Sequence, residues 1–163
     1  MTMKKLPRQS GFTFIEVAVT LAIVALLATM VLPMAELVVK RNKEHDLHLA
    51  LREIRTALDA YKQAVADGRI ATTMGKSGYP PQLGVLVEGV TDEQSPDRKS
   101  KIYFLRRIPR DPMAIDPSKT NEETWGKRSY ASSPDAPEEG DDVFDVYSLA
   151  TDVGLNGFPY KDW

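Results

Sequence analysis

The sequence predicts an α+β chain. A long N-terminal α-helix, transmembrane in its first half, packs its second half on a small antiparallel β-sheet head. Three observations lead there. Of the 28 residues 12–39, 22 are apolar, against 44 of the 124 that follow. An apolar stripe at helical spacing then continues to residue 65. Beyond it, prolines and turn residues separate two short runs of strand-forming side chains. A length of 163 residues suits one domain, and 42% apolar with 27% charged residues excludes a wholly disordered chain. The absence of cysteine excludes a disulfide scaffold, a thiolate metal site and a cysteine nucleophile.

The apolar run comes first. Residues 12–32 number 21, and a helix needs about 20 to cross a bilayer core. Within 17–32 only Thr20 and Thr29 are polar, and Glu16 is the one charge. The alternative is a buried helix of a soluble protein, but the rest of the chain is too polar to wrap a helix that is apolar all round. Lys4, Lys5 and Arg8 precede the run with no acid among residues 1–11, so the N-terminus stays cytoplasmic and the chain after residue 39 is exported. Lys40, Arg41 and Lys43 at the other end snorkel at the far interface. A cleaved secretory signal shares the basic start. Here no A-x-A site follows the run, and helical pattern continues past Pro33.

The front edge of the run is the most informative segment. Gly11 closes the basic leader, Phe12 follows it, and Glu16 is a lone acid inside membrane-competent sequence. An unpaired carboxylate there is costly, so it marks function by default, the alternative being an interfacial acid that reaches water. The leader KKLPRQSG followed by FTFIEVAVTLAIVALLATMVLP resembles the class III signal of type IV pilins and pseudopilins. That resemblance implies a type IV pilin-like fold. It also implies that a prepilin peptidase cuts after Gly11 and methylates the new terminus at Phe12. Glu16 then falls on the family's acidic fifth mature position and Pro33 on its helix-kinking proline. The Phe12 amine of one subunit would pair with Glu16 of another, lowering the cost of both charges and setting axial register.

Leu47, Leu51, Ile54, Leu58, Tyr61 and Val65 recur at spacings of 4, 3, 4, 3 and 4, the stripe of an amphipathic helix. Arg52, Glu53, Arg55, Asp59, Lys62 and Gln63 fill its other faces, and Gly68 after Asp67 predicts the C-cap. One helix over residues 12–67 follows, about 80 Å long. His45 and His48, three apart beside Glu44 and Asp46, have metal-ligand spacing but no third ligand, so they read as a solvated face. Gly75-Lys76-Ser77 resembles the end of a phosphate-binding loop. The pattern needs glycine at 70, which is Ile70, so nucleotide binding is rejected.

In the head, Pro80-Pro81 starts a short helix through Leu83, Leu86 and Val87. Residues 90–101 read as a loop, and 102–108 as a short apolar element ended by Pro109, Pro112 and Pro117. Residues 125–132 and 143–149 are strands joined across an acidic, proline-rich connection, and 158–163 form a third, edge element. A sheet of two to four strands needs the helix stripe against it to fold. Three head segments resemble one branch, the major pseudopilins of type II secretion systems. They are Tyr79-Pro80, the run from Tyr103 through Arg106-Arg107-Ile108-Pro109 to Asp111-Pro112, and Phe144-Asp145-Val146-Tyr147-Ser148-Leu149.

That branch implies a calcium ion in the C-terminal loop. This loop departs from the pattern: Asp152, Asn156 and Asp162 are its only candidate donors, whereas Ca²⁺ takes about six to eight oxygens. No cofactor is expected, and the alternative to a metal site is a turn closed by Gly154 and Gly157 with Phe158, Tyr160 and Trp163 packed on the sheet.

The expected organisation is a prepilin leader over 1–11, a transmembrane and assembly half over 12–39, an amphipathic half over 40–67 and a periplasmic head over 68–163. No Ser/His/Asp set, paired carboxylates or cofactor fingerprint appears, so an enzyme is not expected. The resemblance implies a structural subunit in the bacterial inner membrane, single-pass, that polymerises with itself into the periplasmic pseudopilus. Its partners would be minor pseudopilins, the prepilin peptidase and the inner-membrane secretion platform. The alternatives are a pilin-like subunit for adhesion, twitching or DNA uptake, and an uncleaved membrane protein. Loss of the three leader cations takes the formal charge from −2 to −5, which disfavours nucleic acid despite basic patches at 98–101 and 106–110.

Overall fold

A computed structural model of the chain describes residues 11–96 and 99–163, with side chains outside 30–33. Residues 1–10 of the expected leader 1–11, and Arg98 of one basic patch, lie outside the described residues. The chain divides into two compact units, one ending at Lys40 and the other Arg41–Trp163.

In the first unit, helix α1 (Phe14–Ala66) begins, and its bounds run over Pro33. Thr13 stands at the N-cap, accepting the Glu16 N–H on its carbonyl at 3.1 Å and on Oγ1 at 3.4 Å. The two hydroxyls of the apolar run are satisfied locally. Thr20 Oγ1 donates to the Val17 carbonyl at 2.9 Å and Thr29 Oγ1 to that of Leu26 at 2.7 Å. The helix is long and apolar enough to span a membrane.

In the second unit α1 ends at a Schellman cap. Gly68 has φ 73°, its N–H reaches the Val65 carbonyl, and Arg69 N–H reaches that of Ala64. The stripe is the core: Leu47, Leu51, Ile54, Leu58 and Tyr61 are buried, as are Ala50, Ala57 and Ala64 beside them. They pack with Leu83, Leu86, Leu105, Trp125, Val143, Val146 and Tyr160. Each large apolar side chain so buried contributes about 1.5–3 kcal/mol.

The head elements are shorter than their sequence runs. Helix α2 is Gly84–Glu88, and residues after it hook back, with Phe104 and Leu105 N–H both on the Leu86 carbonyl at 3.0 Å. The expected loop 90–101 is paired at its ends: β1 (Val90–Thr91) and β2 (Lys101–Ile102) form an antiparallel ladder. Strands β3 (Trp125–Arg128) and β4 (Asp145–Ser148) pair antiparallel with Trp125 opposite Ser148 and Arg128 opposite Asp145. The ladder stops short of residue 132 because Asp142 Oδ1 captures the Tyr130 N–H at 2.8 Å. The sheet is therefore two separate two-stranded ladders. The third edge element expected over 158–163 is instead a 3₁₀ turn, Tyr160–Asp162, preceded by a single bridge between Val153 and Pro159. Pro159 can donate no ladder hydrogen bond, which limits pairing there.

Candidate functional site

In the N-terminal segment Gly11, Phe12 and Thr13 have no regular structure and are exposed. The Gly11–Phe12 peptide thus lies in open backbone just before α1. Phe12 is 81% exposed, and a Cβ placed on Gly11 would meet nothing within 4 Å. Glu16 falls in the first turn of α1, where the helix dipole favours a carboxylate. Among the described residues no ion pair involves it. Pro33 lies within α1, outside the described side chains.

The second unit carries the candidate metal loop. Asn156 Oδ1 accepts the Phe158 N–H at 3.0 Å. The Gly154 N–H bonds the Phe158 carbonyl at 2.8 Å, Gly157 that of Gly154 at 3.0 Å, and Tyr160 that of Asp152 at 3.2 Å. Gly157 takes the left-handed φ of 85° that this turn requires. Asp152 and Asp162 are exposed, and among the described residues no three His, Cys, Asp or Glu come together as a metal site. Two exposed carboxylates and one amide oxygen already accepting a backbone N–H do not fit the donor set of Ca²⁺.

Sequence reasoning missed what holds this loop. Glu44, read with the histidines as a solvated face, is buried. Its Oε1 accepts the Leu155 N–H at 2.8 Å and the Tyr160 hydroxyl at 2.9 Å. Burial first, then this acceptor, pushes the Tyr160 phenol up to about 12. The signal was available, because Glu44 extends the stripe one step of three before Leu47. His48 is exposed, yet its ring stacks on Trp163 at 4.2 Å. Arg55, assigned to a polar face, is half-buried. Its Nε donates to Asp145 Oδ1 at 2.8 Å, and its Nη2 donates to the backbone oxygens of Trp163 at 2.7 Å and Val146 at 3.2 Å.

Among the described residues these contacts brace the loop and the last residue against α1. The family model described as the prokaryotic N-terminal methylation motif matches residues 6–32. The chain is 29% identical over 158 residues to the type II secretion system core protein G of Dickeya chrysanthemi, covering 92% of this chain and 94% of that one. It is 30% identical over 145 residues to the protein of the same name from Pectobacterium carotovorum, covering 83% of each. Identity to that of Vibrio cholerae is 32% over 120 residues, 70% of this chain and 72% of the relative. No solved structure matches the chain.

Proposed function

Because the chain belongs to the type II secretion system core protein G family, the major pseudopilins, we propose that it is made as a prepilin and polymerises into the periplasmic pseudopilus of such a system. Water cleaves the Gly11–Phe12 peptide at the prepilin peptidase, leaving a carboxylate on Gly11 and a free amine on Phe12. An external methyl donor then supplies one methyl group to that amine. The observation that carries this reading is the match of residues 6–32 to the N-terminal methylation motif, with the Gly11–Phe12 peptide in open backbone ahead of α1.

On this reading residues 1–11 are the leader, 12–39 the membrane and assembly half, 40–67 the amphipathic half and 68–163 the periplasmic head. The N-terminus faces the cytoplasm before cleavage. Residues 12–32 hold the subunit in the inner membrane until it enters the filament. There the Glu16 carboxylate meets the Phe12 amine of a neighbour, and Pro33 adjusts the helix. Minor pseudopilins and the inner-membrane platform are the partners, and the driving work comes from a cytoplasmic ATPase and that platform, not from chemistry on this chain.

The test is the N-terminal mass of protein extracted from membranes. A chain starting at N-methylated Phe12 is expected, and an intact Met1 overturns the proposal. Deletion is expected to abolish exoprotein release. Loss of DNA uptake or adhesion with normal release would assign the chain to a pilin role instead.

A further inference from the structure

We propose that the loop following β4 is held by an aromatic and carboxylate latch on α1, in place of the calcium ion that the family resemblance implies. The polarity of the loop is the reverse of a cation site's. A calcium loop turns oxygen acceptors towards a cation. Here the loop turns donors, the Leu155 N–H and the Tyr160 O–H, towards an anion, and both end on Glu44 Oε1, at 2.8 Å and 2.9 Å. One buried carboxylate from the helix thus does from outside the loop what a cation would do from within, with the opposite sign of charge.

Trp163 stacks on His48 with centroids 4.2 Å apart and planes 13° from parallel, and meets Tyr160 edge-on at 5.0 Å. The loop passes beneath the indole at Gly154, where a Cβ would lie 2.4 Å from Trp163 Cζ2. Only glycine admits that approach. Arg55 Nη2 donates to the Trp163 backbone oxygen at 2.7 Å and so fixes the aromatic lid on α1. The candidate metal donors are engaged elsewhere or exposed, with Asn156 Oδ1 closing the turn on Phe158.

The experiment uses the full-length chain in detergent micelles, with calcium chloride in one arm and EDTA in the other. Near-ultraviolet circular dichroism gives the melting temperature, and hydrogen exchange reads the Leu155 amide. The expected result is the same melting temperature and the same Leu155 protection in both arms. Tyr160→Phe is expected to speed Leu155 exchange about 3- to 10-fold, as loss of one hydrogen bond from the shared acceptor allows. Gly154→Ala is expected to lower the melting temperature equally with and without calcium. A melting temperature that rises with calcium overturns the proposal, as does Leu155 protection seen only in the calcium arm. Unchanged Leu155 exchange in Tyr160→Phe also overturns it.

Discussion

Ser148 Oγ donates a hydrogen bond to Asp111 Oδ2 at 2.6 Å, and both residues are buried. They come from two of the segments that carry the family resemblance and lie 37 positions apart. Asp111 also accepts the Met113 N–H on Oδ1 at 2.7 Å, and its own N–H donates to Thr124 Oγ1 at 3.2 Å. Ser148 Oγ in turn accepts the Ala150 N–H at 3.2 Å. One buried carboxylate and one hydroxyl thus pin the proline-rich segment, which has no ladder of its own, to β4. Ser148→Ala leaves a charged oxygen short of a donor and is expected to cost about 1–3 kcal/mol. Denaturant unfolding of the full chain measures it, and an unchanged midpoint at constant slope would contradict the assignment.

Arg55 joins α1 to β4 and to the last residue through three acceptors, which a planar guanidinium serves together. Its side chain is 38% exposed, so solvent screening reduces the ionic share. Arg55→Ala is expected to cost about 1 kcal/mol. Arg55→Lys is expected to recover little of it, because an ammonium cannot span Asp145 and the Trp163 backbone oxygen at once. Melting of the two variants side by side distinguishes geometry from charge: full recovery by lysine would show that charge alone mattered.

The Tyr160 phenol gives a pH signature at the alkaline end. Its folded value is raised from 10.0 to about 12 by burial and by the Glu44 acceptor. Between these values the unfolded chain releases the proton and the folded chain keeps it, so stability falls as pH rises. The contribution is therefore complete below the unfolded value and lost as pH passes the folded one. Tyr61 and Tyr79 are also shifted upward by burial, so the informative quantity is the difference between the parent chain and Tyr160→Phe. That difference in melting temperature is expected to be constant below pH 10.0 and to shrink above it. A constant difference across the alkaline range would remove Tyr160 as the titrating group.

Glu16 tests assembly separately from insertion. Glu16→Ala removes the only acid between Phe12 and Pro33 and makes the segment more apolar, so membrane insertion is expected to be intact. Under the proposed pairing, filament incorporation is expected to fall, because the neighbour's Phe12 amine would be left without its counter-charge. Cross-linking of subunits in membranes, with cleavage monitored in the same samples, checks it. Incorporation at the parental level would sink the pairing.

Much of the architecture was legible because it is periodic. The stripe from Leu47 to Val65 depends on neighbours three and four residues away, and Gly68 caps it within one turn. The apolar length of 12–32 and the order Gly11, Phe12, Glu16 are likewise local facts of the chain. Strand ends were less legible. Where β3 stops depends on Asp142 reaching the Tyr130 N–H, and the pairing of Val90 with Ile102 depends on two strands separated by nine residues coming together.

By itself, then, the sequence determined the membrane-competent helix, its amphipathic continuation, the α+β class and the family. Only the tertiary structure decided what each buried polar group meets. Glu44 continues the apolar stripe and looks solvated on paper, yet it holds the Leu155 N–H and the Tyr160 hydroxyl more than a hundred residues away. The reason is physical. Helical periodicity is set within a turn of the backbone, whereas a buried carboxylate is tolerable only where distant donors converge on it, and that convergence exists only in the folded chain.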